Sequence, residues 1–253
     1  MPGPVAERRS AGEERDVSRA GAVKVVLMDI EGTTTSIAFV KDRLFPFAET
    51  ALEGFLAAHG ERPEVQAILA EVRALAPGQQ PAEALRAWMA ADAKVTPLKA
   101  LQGLIWHQGY ADGRLQGHLW PDVAACLRAW AAGGVRLAIY SSGSVAAQRD
   151  LFGHSEAGDL TPLLSGFFDT RIGAKREAAS YAAIAAELRT APAEMLFLSD
   201  VAEELDAARA AGLQTCQLVR AADGTQPAGR HPEAVDFPEV ARRFGLPAGS
   251  PPR

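Results

Sequence analysis

The residues best suited to chemistry are Asp29 and Glu31. They stand two positions apart, directly after the largely apolar run Val23–Met28 and ahead of Gly32, Thr33, Thr34 and Thr35. A buried strand that ends this way delivers two carboxylates to its exposed carboxyl end. A strand-to-turn junction without a reactive role has the same composition, so the choice depends on what else reaches that end.

The chemistry such a pair suits is phosphoryl transfer through a carboxylate. Asp29 is placed as a nucleophile, because a carboxylate can form an acyl phosphate and split hydrolysis into two easier displacements. Glu31 is placed as a general acid that protonates the departing oxygen and later activates water; a surface glutamate on a turn is the alternative. Two anionic reactants repel, so the site needs a cation. Mg²⁺ takes oxygen ligands, and Asp29 and Asp200 could supply carboxylates with the backbone carbonyl of Glu31 as a third ligand.

Further groups follow other apolar runs. Ser141, Ser142, Gly143 and Ser144 follow VRLAIY, and Ser199, Asp200, Glu203 and Glu204 follow MLFL. Hydroxyls and amides ahead of a helix form a cradle for phosphate oxygens, although a plain Ser/Gly turn reads the same. Lys175, between Ile172 and Glu177, could neutralise a transferring phosphoryl group or be merely solvated. Glu204 could hold a metal-bound water, while Glu203 and Glu204 could equally serve the dipole of a helix start.

The elements that must position these residues alternate. Strands are expected at Val23–Met28, Val135–Tyr140, Met195–Leu198 and Thr215–Val219, with a short extended segment that takes in Phe167–Asp169 and Ile172. Helices are expected at Pro121–Ala132, Ser144–Leu151, Ala178–Leu188, Ala202–Ala211 and Phe237–Phe244, with a loop from Ala221 to His231. Repeated strand–helix units imply parallel strands with crossover helices, an α/β doubly wound parallel sheet of Rossmann type. Ligands of such sheets bind beyond the carboxyl ends of the strands, where all of the groups above would meet. Between Ile37 and Leu119 only helical periodicity is present, over 37–44, 45–59, 64–75, 81–93 and 98–110. The expected division is a flexible tail over 1–22, a core over 23–36 and 119–247, and an inserted helical domain over 37–118.

The chain has 253 residues, 23% of them charged, and a net charge of −5, which gives no global attraction for nucleic acid or an anionic membrane. No apolar run reaches membrane-span length, and the expectation is a soluble, cytoplasmic protein. Cys126 and Cys216 lie far apart without metal-ligand spacing and read as small core residues.

DIEGTTT, the serine after the second strand, the loop lysine and the late aspartate together resemble the haloacid-dehalogenase superfamily of phosphatases. Within it, DIEGTTT, IAFVKDRLFPFA, LKALQGLIW, IYSSGSVAAQRDLFGHSEAGDL, FFDTRIGAKREAASY and FLSDVAEELDAARAAG resemble the enolase-phosphatase family of methionine salvage, the acireductone synthases. The resemblance spans about Val23 to Val219. Glu31, where the superfamily usually has aspartate, fits that branch; Ser36 departs from it, since proline is expected there.

The resemblance implies Asp29 as nucleophile and metal ligand, Glu31 as acid/base and backbone metal ligand, Asp200 as metal ligand, and Ser141, Ser142 and Lys175 as substrate-binding residues. It also implies one Mg²⁺ per subunit, a monomer, and a mobile helical cap over the site. The implied substrate is a small phosphorylated diketone, 2,3-diketo-5-methylthiopentyl 1-phosphate, enolised and then dephosphorylated to 1,2-dihydroxy-3-keto-5-methylthiopentene. Lys99 in the cap is a candidate contact for the dicarbonyl, and a solvated lysine is the equal alternative. Trp106 and Tyr110 could line a pocket for the methylthio tail or pack in the core; His107 and His118 read as surface or satisfied side chains. A phosphatase of another small phosphate ester, or a non-catalytic binder of a phosphometabolite, are the competing readings.

Overall fold

A computed structural model describes residues 21–249. Six parallel strands form one sheet in the order β3-β2-β1-β4-β5-β6. They are β1 (Val25–Met28), β2 (Arg136–Tyr140), β3 (Leu164–Phe168), β4 (Met195–Ser199), β5 (Gln214–Leu218) and β6 (Glu233–Ala234). The four residues of β1 have no exposed surface. That is the environment a continuous apolar run requires, because helices cover both faces of a parallel sheet.

Alternate residues feed two cores. Val26, Met28, Leu137, Ile139, Leu196 and Leu198 pack on one face against α6 (Val123–Ala132) and α10 (Phe237–Phe244), where Trp130 stacks on Phe237 with ring centroids 5.2 Å apart. Val25, Leu27, Ala138, Tyr140, Met195 and Phe197 pack on the other against α8 (Ala178–Glu187) and α9 (Ala202–Ala210). The helix α7 (Val145–Gly153) links β2 to β3. Because β2 and β4 flank β1 on opposite sides, the chain reverses its direction of travel across the sheet there, which opens a crevice at the carboxyl end of β1.

Between β1 and α6 the chain inserts α1 (Ile37–Phe39), a wide turn at Val40–Leu44, α2 (Phe45–His59), α3 (Pro63–Leu75), α4 (Pro81–Ala90) and α5 (Thr96–Ala111). Their apolar faces make a third core from Leu52, Val65, Leu69, Leu85, Leu101 and Ile105. The base of this block is fused to the sheet: Phe39, Leu44, Tyr110 and Leu115 belong to the cluster that contains Val26 and Met28. Trp106 donates its indole N–H to the Leu44 carbonyl at 2.8 Å, and Tyr110 is buried, so both take part in the packing between insertion and sheet.

The two linkers of the insertion are tied together. Thr35 Oγ1 lies 2.9 Å from His118 Nδ1, and the backbone amide of Trp120 donates to the Thr34 carbonyl at 3.0 Å. From the segment after β5, Asp223 accepts the Ser36 hydroxyl at 2.7 Å and the Ile37 amide at 2.9 Å. Ser36 is therefore a helix cap with a partner of its own, a role its expected proline replacement has no hydroxyl to fill. His107, in turn, sits on the surface 3.0 Å from Asp150 of α7.

Several boundaries differ from expectation. The third strand runs over Leu164–Phe168 instead of Phe167–Asp169, because Ser165 and Gly166 interrupt the apolar pattern of a half-buried edge. The two-residue β6 carries no pattern to read; it joins by pairing with Gln217 and Leu218. The fourth inserted helix stops at Ala90, ahead of Asp92, whose φ of 47° is incompatible with helix. Cys126 and Cys216 are buried and unpaired. The expected tail falls outside the described residues over 1–20.

Candidate active site

Asp29 leaves the end of β1 with 5% of its surface exposed and its amide bonded to the Leu198 carbonyl of β4 at 2.9 Å. The turn that follows is wound about one atom: the amides of Thr33, Thr34 and Thr35 all donate to the Ile30 carbonyl, at 3.2, 2.9 and 2.9 Å. Thr34 closes the turn by donating its hydroxyl to the Asp29 and Ile30 carbonyls, at 3.1 and 3.2 Å. Gly32 has φ +70°, and a Cβ there would overlap the carboxylate of Asp200. Glycine is thus required twice, by the backbone and by the close approach of a second acid.

The carboxylate of Asp29 is oriented by three donors. Ile30 N–H and Lys175 Nζ both lie 2.7 Å from Oδ1, and the Ser199 hydroxyl lies 3.3 Å from Oδ2. Lys175 also sits 2.7 Å from Glu204 Oε2, which Ser199 approaches at 3.1 Å. Burial alone would lower the pKa of Lys175, but the charges of Asp29 and Glu204 outweigh it and hold the ammonium above its usual range. Glu204 is nevertheless raised, first by burial and then by Asp29, since one lysine cannot neutralise three neighbouring acids. Asp200 is pushed up to about 7, by burial first and by Asp29 second.

The lysine itself is held through its backbone. The Tyr140 hydroxyl donates to the Gly173 carbonyl at 2.9 Å, Ser180 to Ala174 at 2.8 Å and Tyr181 to Lys175 at 2.7 Å. The carbonyl of Asp200 accepts from the amide of buried Gln217 at 3.0 Å. None of these supporting residues was visible beforehand, because a buried tyrosine or glutamine reads as core until its partner is known.

The structure brings Asp29, Lys175 and Glu204 into direct contact and sets Asp200 beside Gly32. Glu204, expected near a metal-bound water, turns one carboxylate oxygen to Lys175 and Ser199. Glu31 opens onto the cleft, yet enough protein surrounds it that burial, and then Asp29, raise its pKa. Opposing that rise are Lys175 and two lysines of the insertion, Lys94 and Lys99, so both of these act on the same cleft. Lys94 itself is exposed and paired to Asp92 at 2.7 Å.

Ser141 follows β2; since Met28 pairs with Ile139, Tyr140 is level with Asp29 and Ser141 comes one residue further, at the same carboxyl edge of the sheet. It is buried and its amide donates to Phe168 at 3.1 Å, whereas Ser142 is exposed on the same loop. A cavity of about 690 Å³ bordered by Trp120, Pro121, Arg128 and Glu156 contains none of these groups.

These donors fit a hard cation. Asp29, Asp200 and Glu204 against Lys175 leave buried negative charge uncompensated, and every available ligand atom is oxygen. Among the described residues no three His, Cys, Asp or Glu side chains form a metal-binding group. A cation here would accordingly rest on two carboxylates, a backbone carbonyl and water, a set that suits Mg²⁺ better than zinc.

An acid rim at the carboxyl edge of a doubly wound sheet, interrupted by a helical insertion after the first strand, defines a haloacid dehalogenase-like hydrolase, and the model of that family matches residues 23–212. Enolase-phosphatase E1 of Granulibacter bethesdensis is 59% identical over 88% of this chain and 97% of its own, and that of Acidiphilium cryptum 57% over 88% and 97%. The crystal structure of the UTR4 protein of Saccharomyces cerevisiae superposes with a TM-score of 0.73 at 32% identity, covering 85% of this chain and 98% of that one. The chain belongs to the enolase-phosphatase family of the haloacid dehalogenase-like hydrolases. It is a phosphatase-type enzyme, and none of its described helices is long and apolar enough to cross a membrane.

Proposed function

We propose that this enzyme is a cytoplasmic, magnesium-dependent enolase-phosphatase that converts 2,3-diketo-5-methylthiopentyl 1-phosphate to 1,2-dihydroxy-3-keto-5-methylthiopentene and phosphate. The observation that carries the reading is the pairing of a buried, triply oriented carboxylate, Asp29, with an adjacent acid, Glu31, whose pKa is raised. A raised pKa suits an acid that must hold a proton until the leaving oxygen needs it.

Asp29 attacks phosphorus and forms an acyl phosphate, while Glu31 protonates the departing enol oxygen. Glu31 then takes a proton from the water that cleaves the acyl phosphate, returning both carboxylates to their starting states. Ser141 and Ser142 bind phosphoryl oxygens from the β2 side, and Lys175 holds Asp29 in line while offsetting charge on the phosphoryl group. Asp29, Asp200 and the Glu31 carbonyl would hold Mg²⁺, which supplies charge neutralisation and Lewis acidity toward the phosphate and the dicarbonyl. The block 37–118 acts as a cap; Lys99, joined by Lys94, places positive charge over the dicarbonyl, where negative charge develops on enolisation. All of these groups come from one chain, so a monomer suffices.

Product analysis tests the assignment. With the diketo phosphate, phosphate and acireductone should form in equal amounts. More efficient phosphate release from common sugar phosphates would overturn it.

A further inference from the structure

The loop that would grip the phosphate is itself held by a residue with no place in the chemistry above. Gln148, on the first turns of α7, is 1% exposed. Its side-chain amide donates at 2.8 Å to the Gly143 carbonyl, inside the loop, and at 2.8 Å to the Phe168 carbonyl at the end of β3. The Phe168 carbonyl also accepts the Ser141 amide, at 3.1 Å. One amide group therefore joins the start of the loop, its third residue and the neighbouring strand.

We propose that Gln148 is the positioning residue of the phosphate-binding loop 141–144, an inference that rests on the reading of Ser141 and Ser142 as phosphate ligands. A carbonyl oxygen turned toward a phosphate repels it, while an amide N–H attracts it. By taking both N–H groups of Gln148 onto carbonyls, the fold keeps the Gly143 and Phe168 oxygens turned to the protein and leaves the cleft side of the loop to donors. Asp169 restrains the next residue by accepting the Val145 amide at 3.3 Å, with its carboxylate fixed by Arg171 at 2.9 Å.

A second observation separates positioning from packing. The Gln148 side-chain carbonyl oxygen is buried with no hydrogen-bond partner. An orphaned acceptor costs stability, and methionine would fill nearly the same space without it. The orientation is not interchangeable either, because a flipped amide would set this oxygen against two carbonyl oxygens. Glutamine at this position carries one unpaired acceptor and keeps two donors where the loop needs them.

Gln148→Met and Gln148→Glu, with Ser141→Ala as control, test this through KM and kcat for the diketo phosphate, competitive inhibition by inorganic phosphate, and Tm. Gln148→Met should raise both KM and the inhibition constant of phosphate about tenfold, the factor for net loss of about one hydrogen bond. Its kcat should change far less, and its Tm should fall only modestly, because the Gly143 carbonyl loses a donor while the unpaired side-chain oxygen is removed. Gln148→Glu, which puts an oxygen where the donors were, should weaken phosphate more than Gln148→Met does. Unchanged phosphate inhibition in both variants, while Ser141→Ala weakens it, would overturn the role of Gln148 alone. Unchanged inhibition in Ser141→Ala would instead remove the phosphate loop, and this inference with it.

Discussion

At the scale of single residues, the site is a problem of excess negative charge, handled by one lysine, one glycine and a raised set of acids. The placement of Asp29 and Asp200 at one rim was legible in the sequence because each follows the apolar run of a buried strand and parallel strands bring those ends together. Their neighbours Tyr140, Tyr181 and Gln217 were not, since each is buried and declares its role only through its hydrogen-bond partner. Gly32 lies between these cases: its φ of +70° could be guessed from a turn, but its contact with Asp200 could not. Gly32→Ala should cost about 1–2 kcal/mol from the left-handed backbone alone. It should also weaken Mg²⁺ binding measured calorimetrically, because the new methyl group displaces Asp200; unchanged affinity would detach Asp200 from the metal. For Glu31→Gln the expectation is an enol phosphate that accumulates and is seen by its absorbance, because departure of phosphate is blocked while enolisation continues. Loss of enolisation as well would assign Glu31 to both steps.

At the scale of elements, the strands that read well are those buried on both faces, and the elements that read poorly are the sheet's edges. β6 exists because Gln217 N–H and Val219 N–H find the carbonyls of Pro232 and Ala234, at 2.8 and 2.9 Å, a pairing that no two-residue pattern announces. The segment leading into it is fastened by His231, which lies 2.9 Å from Thr215 Oγ1 on β5 and 3.0 Å from Asp206 Oδ1 on α9. Burial, followed by the charge of Arg209, holds the pKa of His231 below its ordinary value, against the pull of Asp206. The unfolded chain therefore binds a proton that the folded chain refuses once the pH drops below about 6.5, and folding stability falls with it; above that pH the residue adds no pH dependence. Thermal melts should show the native protein losing Tm more steeply than His231→Gln between about pH 7 and pH 5. Parallel slopes would mean that this histidine is not a proton-linked fastening.

At the scale of the whole molecule, the insertion and the sheet meet in one apolar cluster. The insertion has its own apolar centre, yet Phe39, Leu44, Tyr110 and Leu115 join the cluster beneath β1, and both linkers are bonded to each other and to Asp223. The helical block was legible as a block from its unbroken helical periodicity. Its seating was not, because the same aromatic residues that fix it, Trp106 and Tyr110, read equally well as pocket or core. From the insertion, Lys94 and Lys99 oppose the rise in the Glu31 pKa. The account requires that the sheet half perform phosphoryl transfer through Asp29. The direct measurement is phosphate release from the diketo phosphate by Asn-substituted enzyme, Asp29→Asn, saturated with Mg²⁺ and shown by its melt to be folded. Release should fall by on the order of a thousandfold or more; release near the parent rate would contradict the acyl-phosphate route.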